Sequence, residues 1–184
     1  DLIKDFNIKE VQKAGAIFDL TKLEWVNSQH LSNLTLDEFK DHLKPFLSKI
    51  NINIENHSNV DLLISAMRSS ENTLAGIAES LVPYYNDELI YDTNAIDKFL
   101  SDNTIILDDI KDILSDLEDW TEDNLENALK AYQTDKNLPI PKVNQPIRIA
   151  LTGSTKSPSL GLTLSIFGKD AAIKRIEALI AFLH

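Results

Sequence analysis

The sequence predicts an all-α protein, on three observations. Apolar residues recur at intervals of three and four along most of its length. No stretch alternates apolar and polar residues for long enough to make a strand. With 43% hydrophobic residues but only five Gly and six Pro in 184, the composition is that of a folded chain rather than a low-complexity one. A chain of this length makes one large or two small domains. It buries roughly 70% of the surface its unfolded form would expose.

The elements follow in order. Asp19 is placed to cap a helix in which Leu20, Leu23, Trp25, Val26 and Leu31 keep near-helical spacing. Thr35 and Glu38 form a capping-box pattern ahead of a helix with Leu36, Phe39, Leu43, Phe46 and Leu47 on one face. Leu31, Leu34 and Leu36 read as core or boundary residues. Pro45 falls inside that second helix and is expected to kink or split it. Residues 51–59, rich in Asn, read as a turn. Helices over 60–67 and 73–82 come next, the latter broken by Pro83. Residues 94–100 make a short helix. Residues 104–117 make another, acidic on one face (Asp108, Asp109, Asp112, Asp116) and apolar on the other (Ile106, Ile110, Ile113, Leu114, Leu117).

Thr121 caps a helix with Leu125, Ala128, Leu129 and Tyr132 at i, i+3, i+4 and i+7. Pro139 and Pro141 separate it from residues 144–153, which read as a short helix that Pro146 starts and Gly153 stops. A Ser/Pro loop, Ser157-Pro158-Ser159, enters the following helix. Ile173, Ile176, Ile180 and Leu183 form the inner stripe of the last one. The break at Pro83 divides the chain into two helical domains, residues 1–82 and residues 83–184. The chain opens on Asp rather than Met, and Leu2-Ile3 read as the end of a helix, so a piece of a longer protein is expected.

Charge is unevenly distributed. Residues 141–184 hold six basic side chains (Lys142, Arg148, Lys156, Lys169, Lys174, Arg175) against two acidic ones (Asp170, Glu177), a net +4. The whole chain carries −11, which leaves −15 on residues 1–140. A positive tail on a negative body is suited to meeting a polyanion locally. The negative body opposes non-specific nucleic-acid binding, which depends on phosphate neutralisation. Cysteine is absent, which removes disulfides, thiolate metal sites and thiol nucleophiles and fits a reducing, cytoplasmic setting. No run approaches the roughly 18 apolar residues of a membrane span, and no signal-peptide pattern opens the chain, so no membrane partner is expected.

Chemistry-bearing patterns are missing. There is no GxxxxGK[ST], GxGxxG or GxSxG. His30, His42, His57 and His184 are 12, 15 and 127 residues apart, without the i+3 or i+4 pairing of a helical metal site. The acidic run Asp108, Asp109, Asp112, Asp116, Glu118 and Asp119 lacks the Gly turn and alternating ligands of a calcium loop, and reads as a solvated face. Catalytic residues, a metal site and a cofactor of this chain's own are therefore not expected. What stands out instead is Gln145, a planar amide with donor and acceptor, three residues before Arg148 and so near it on a helix face. Such a pair either caps and solvates a helix or reads the edges of unpaired bases and phosphates.

The run Gln145-Pro146-Ile147-Arg148-Ile149-Ala150-Leu151-Thr152-Gly153, then Ser157-Pro158, then residues 160–168, resembles the C-terminal part of bacterial glutamyl-tRNA synthetases. Residues 16–29 (AIFDLTKLEWVNSQ) resemble the "FDxxKLxWxN" segment that follows that family's catalytic core. Met67-Arg68 and Trp120-Thr121-Glu122 add weaker matches, so the resemblance spans the chain. It implies a class I synthetase as parent, in which ATP with magnesium activates glutamate for transfer to the terminal ribose of tRNA. The family's ATP-site signatures, of the HIGH and KMSKS type, do not occur in this sequence.

The resemblance further implies a stem-contact domain before about Pro83 and an anticodon-binding domain after it, with the tRNA anticodon arm as partner, no DNA, and a monomeric parent. Gln145 and Arg148 match positions that take part in anticodon recognition, Leu160 a position that packs on an anticodon base, and Ser157 and Pro158 the loop that shapes the pocket. One departure matters. Two residues after the position matching Arg68, strictly discriminating members carry an arginine that reads the third anticodon base. Ser70 stands there, too short for that contact, which implies a parent that charges both tRNA-Glu and tRNA-Gln unless Arg68 is the displaced equivalent. The reading in competition with all of this is an acidic helical protein-interaction scaffold that binds no RNA.

Overall fold

The computed structural model describes residues 4, 6–8, 15, 17–54, 59–68, 70–101 and 105–184. The expected helix end at Leu2-Ile3, Ala16 of the family-like segment, His57 with the rest of 55–58, and Thr104 as a helix start lie outside the described residues. The described residues form helices α1 (Leu20–Ser32), α2 (Leu36–Lys49), α3 (Val60–Met67), α4 (Leu74–Tyr85), α5 (Thr93–Phe99), α6 (Ile105–Asp116), α7 (Glu122–Asp135), α8 (Ile140–Thr152), α9 (Leu160–Phe167) and α10 (Lys169–Leu183), with no strand among them. The all-α expectation holds. No helix among the described residues is long and apolar enough to cross a membrane.

Short polar side chains open most helices by accepting from backbone N–H groups that the first turn leaves unpaired. Asp19 accepts from Lys22 N at 3.1 Å, and Asp92 Oδ1 from Asn94 N and Ala95 N. Thr121 and Ser159 do the same for α7 and α9. The Thr35–Glu38 capping box closes in both directions, Thr35 N donating to Glu38 at 2.8 Å and Glu38 N to Thr35 Oγ1 at 3.3 Å.

The prolines behave differently from expectation. α2 runs unbroken through Pro45, and α4 continues two residues past Pro83. Each proline removes one helix hydrogen bond. The carbonyl left over belongs to Asp41 or Glu79, both exposed, so water can take its place, while buried Leu43 and Leu47 or Leu81 and Tyr84 hold the helix to its core. Pro139 does stand between α7 and α8, as the cap of α8, but Pro141 lies inside that helix. α8 begins at Ile140 with proline in its first turn, where no N–H is needed, and Pro146 lies in its interior instead of starting it. The buried Val143, Ile147, Ile149 and Leu151 stabilise this longer helix.

Two apolar cores result. One gathers α1–α4 around Phe39, Leu43, Leu63, Met67, Ile77 and Leu81. The other gathers α5–α10 around Leu107, Ile110, Leu125, Ile147, Leu151 and Ile176. α9 crosses between them. Its Ile166 is buried in the first core, its Leu160 and Leu164 in the second, and Phe167 packs on both.

Two contacts fasten the cores together. Phe167 stacks on Tyr84 with ring centroids 4.8 Å apart. Arg175 lies over the Phe167 member of that stack, 4.5 Å from its ring centroid. Its guanidinium donates to the carbonyls of Leu151 (2.6 Å), Pro83 (2.8 Å) and Asn86 (2.7 Å). The Arg175 side chain is nearly inaccessible, and its burial pulls its pKa down from the ordinary arginine value. Arginine nevertheless stays charged in proteins, so the buried cation is offset by carbonyl dipoles. Within the second core, Gly153 ends α8 with φ of 74° and offers its carbonyl to Asp92 N, the cap of α5, at 2.8 Å. A Cβ at Gly153 would run into the Ile90 carbonyl oxygen.

Gly153→Ala therefore combines a left-handed backbone with a backbone clash, and should destabilise the fold by at least about 2 kcal/mol in urea denaturation. A value near zero would mean that the 90–92 segment moves aside freely.

The tyrosines give a second check. Burial pushes Tyr84, Tyr85 and Tyr132 up to about 12, and Tyr91 in the same direction. Tyr132 is pushed further by donating to Asp109 at 2.9 Å. A raised phenol pKa stabilises the fold below the unfolded value of about 10, and that stabilisation is lost as pH rises through about 12. Phenolate absorbance of the folded chain should thus remain small at about pH 10, where the unfolded chain is half ionised. Full ionisation of the folded chain at that pH would contradict the packing.

Candidate functional site

At the junction of the two cores lies a pocket of about 370 Å³, lined by Met67, Ser70, Glu71, Ser80, Gln145, Arg148, Thr155, Lys156 and Ser157. It brings together four of the residues nominated from sequence, Ser70, Gln145, Arg148 and Ser157, from opposite cores. α8 carries Gln145 and Arg148 on one face. The loop after Gly153 folds back over that face because the left-handed glycine reverses the chain there.

Arg148 holds the loop in place. One guanidinium nitrogen, Nη1, donates to the Ser157 carbonyl at 2.8 Å, the Pro158 carbonyl at 2.5 Å and the Ser157 hydroxyl. Thr163 Oγ1 donates to Ser157 Oγ at 3.2 Å, tying the loop to α9 as well. Arg148 is half-buried, and desolvation lowers its pKa, opposed by the nearby Tyr84. Its position is therefore set by the loop it braces.

Gln145 is the most unusual group in the pocket. Its Oε1 is buried and has no hydrogen-bond partner. A buried unpaired acceptor carries a desolvation cost of about 1–3 kcal/mol. Tyr84 Oη, at the wall between the cores, is likewise buried without a bonded partner. The Thr163 hydroxyl and the charges of Arg148 and Arg175 partly offset the effect of burial on its pKa.

The remaining nominated residues lie elsewhere. Leu160 is buried at the start of α9 and lines a separate, wider cleft of about 970 Å³ with Gln133, Pro139 and Asn144. Gln133 and Asn144 are joined there amide to amide at 2.8 Å. Pro158 meets Arg148 through its carbonyl. Arg68 faces away. Its Nη2 donates to the carbonyls of Leu31 (2.9 Å), Ser32 (3.2 Å) and Leu34 (2.7 Å), with the guanidinium 5.0 Å from the Phe39 ring centroid. It locks the α1–α2 connection. Ser70 is exposed, and its hydroxyl donates back to Met67 O at 2.7 Å.

Other expectations from sequence need adjusting. The positive tail is less available than its charge count suggests, since Arg148, Arg175 and Lys169 all donate to internal carbonyls, the last to Leu117 O at 2.7 Å. The buried stripe of α10 is Ala172, Arg175, Ile176 and Leu179, with Ile173, Ile180 and Leu183 less deeply placed. Arg175 thus occupies a core position at i, i+3, i+4, i+7 spacing, a signal the sequence did carry. Glu71 and Lys156 were also missed as pocket residues. They pair at 2.9 Å across the junction, and the bond to Glu71 raises the Lys156 pKa. Among the described residues no three His, Asp or Glu side chains converge on a metal position.

The fold and the pocket define an α-helical recognition module, with amide, hydroxyl and guanidinium groups at the seam of two helical cores. The chain belongs to the anticodon binding domain family, whose pattern it matches over residues 38–180. It is 28% identical over 182 residues to the glutamate–tRNA ligase of Francisella tularensis subsp. novicida, covering 96% of this chain and 38% of that protein. It is 30% identical over 185 residues to glutamate–tRNA ligase 1 of Syntrophus aciditrophicus, covering 100% of this chain and 39% of that protein. These relatives bear out the resemblance to glutamyl-tRNA synthetases. The chain spans about two-fifths of the length of the relatives it matches.

Solved structures agree on the fold. A glutamate tRNA ligase from Elizabethkingia meningosepticum, in complex with its amino acid, superposes with a TM-score of 0.77 at 23% identity, over 100% of this chain and 36% of that one. The glutamate-tRNA synthetase of Elizabethkingia anophelis gives 0.74 at 24%, over 98% and 35%.

Arg148→Met should release the 154–158 loop, costing about 1–3 kcal/mol of stability because half-buried carbonyls lose their charged donor. Amide exchange in that loop should rise with it. Unchanged exchange would show that Arg148 does not brace the loop.

Proposed function

We propose that this chain reads the anticodon arm of a tRNA within a glutamate–tRNA ligase, a monomeric cytoplasmic enzyme that attaches glutamate to tRNA using ATP. The observation that carries the reading is the buried, unpaired Gln145 Oε1 in a pocket whose other wall is the loop braced by Arg148. Anticodon bases are unpaired, and their edges offer the N–H donors such an acceptor lacks. Thr155 and Ser157 supply hydroxyls on the same wall. Leu160 lines the separate, wider cleft and gives it an apolar contact for a base.

In this reading residues 1–82 meet the stem and residues 83–184 the anticodon, with the joint near Pro83, although the pocket takes residues from both. In this reading ATP and magnesium belong to the catalytic part of the ligase. The HIGH- and KMSKS-type signatures do not occur in this sequence, and among the described residues no three His, Asp or Glu side chains converge on a metal position. The role left to this chain is to bind and orient the tRNA.

Neither Arg68 nor Ser70 offers an arginine contact to the third anticodon base. Arg68 is bound to three carbonyls, and Ser70 bonds to its own helix end. That favours a ligase that accepts both tRNA-Glu and tRNA-Gln. The full-length enzyme should charge both; normal charging of tRNA-Glu with none of tRNA-Gln would remove this element of the reading.

The reading as a whole is tested by titrating the chain with an RNA hairpin carrying the tRNA-Glu anticodon arm and with a scrambled-loop version. Preference for the native loop is expected. Gln145→Ala should erase the preference more than the total binding, and Arg148→Ala should cost about 1–3 kcal/mol. Variants that bind every loop as wild type does would show that the site is elsewhere.

A further inference from the structure

Three of the six cations in residues 141–184 are committed to backbone carbonyls, Arg148 to the pocket loop, Arg175 to the core junction and Lys169 to Leu117. Among the described residues lining the pocket, that leaves Lys156 as the cation whose side chain is bound only to another side chain. Its ammonium is 2.9 Å from Glu71 Oε1, and its side chain is 77% exposed against 28% for Glu71. The two residues are 85 apart in sequence and come from opposite cores. They stand where the pocket meets a second cleft of about 610 Å³, which both also line. That cleft adds the carboxylates of Glu79 and Glu88, so it repels anions, and a phosphate is better received at Lys156 from the side of Gln145 and Ser157.

We propose that Lys156 is the phosphate contact of this pocket and that Glu71 is its resident counter-ion, displaced when an RNA backbone enters. The inference rests on the anticodon reading and adds to it a residue with a different task from Gln145 and Arg148. An exposed lysine–carboxylate pair contributes little to stability, so exchanging the carboxylate for a phosphate is cheap. The exchange also releases counter-ions from the RNA, which makes it salt-dependent. Arg148 cannot make the same move without dropping the loop that forms the pocket wall. Glu71 in turn penalises an empty exchange, because any ligand without a phosphate at this point leaves the Lys156–Glu71 pair in place and gains nothing from it.

The test is a fluorescence titration of this chain with the anticodon-arm hairpin and its scrambled-loop version across a series of salt concentrations. Lys156→Met should reduce the slope of log affinity against log salt by about 0.7, the value for one phosphate contact on a single strand. Glu71→Gln should keep the wild-type slope and tighten binding about two- to fivefold, the range set by an exposed ion pair. That gain should shrink when Lys156→Met is present as well. A wild-type slope in Lys156→Met, with the native-loop preference intact, overturns the assignment of Lys156 alone. Loss of the loop preference in the wild-type chain overturns the anticodon reading, and the assignment with it. The pair lies at the mouth of the pocket rather than in either core, so circular dichroism of each variant should match the wild type.

Discussion

Arg175 is the group on which the rest of the arrangement depends. Its guanidinium donates to the last turn of α4, to the residue after it and to the last turn of α8, three carbonyls at helix ends, where partners within the helix run out. Its flat face covers Phe167, whose ring stacks on Tyr84. A single cation therefore satisfies two helix ends and fixes the angle between two apolar cores. Removing it would leave buried carbonyls without donors, a larger penalty than the bonds themselves contribute. The pocket exists only because α4 and α8 meet at that angle, with Gln145 and Arg148 arriving from one core and Ser70 and Glu71 from the other.

The disposition of charge shapes what the pocket can recognise. A chain at −11 gains little from general attraction to a polyanion, and half of its positive tail is turned inward. What remains at the pocket is local and directional: an unpaired amide oxygen, hydroxyls on a braced loop, and one lysine held by one carboxylate. Such groups suit a few nucleotides presented in a defined geometry better than a long stretch of backbone. The membership of the anticodon binding domain family and the glutamate–tRNA ligase relatives are in keeping with that chemistry.

Most of the fold was legible in the sequence because it is written in local rules. Capping residues at Asp19, Thr35 and Thr121 and apolar spacing at three and four located those helices to within a residue or two. The prolines misled because their cost is local, whereas the burial that outweighs it comes from other residues along the same helix. Arg175 was hidden for a related reason. It counts as tail charge in the composition, although its spacing from Ala172, Ile176 and Leu179 places it on the buried stripe. Within the site, Gln145 and Arg148 stood out on chemistry and on family resemblance. Their meeting with Ser70 and Glu71 depends on the packing of two cores, which no local pattern records, and the turn of Arg148 onto its own loop depends on the reversal at Gly153.

The central claim is that recognition occurs at the seam between the cores. The most direct test is amide NMR of the chain during titration with the anticodon-arm hairpin. Chemical-shift changes should concentrate at Ser70, Glu71, Gln145 and the 154–158 loop, and leave the acidic face of α6 unmoved. Changes confined to that acidic face, or spread evenly over the surface, would contradict the account.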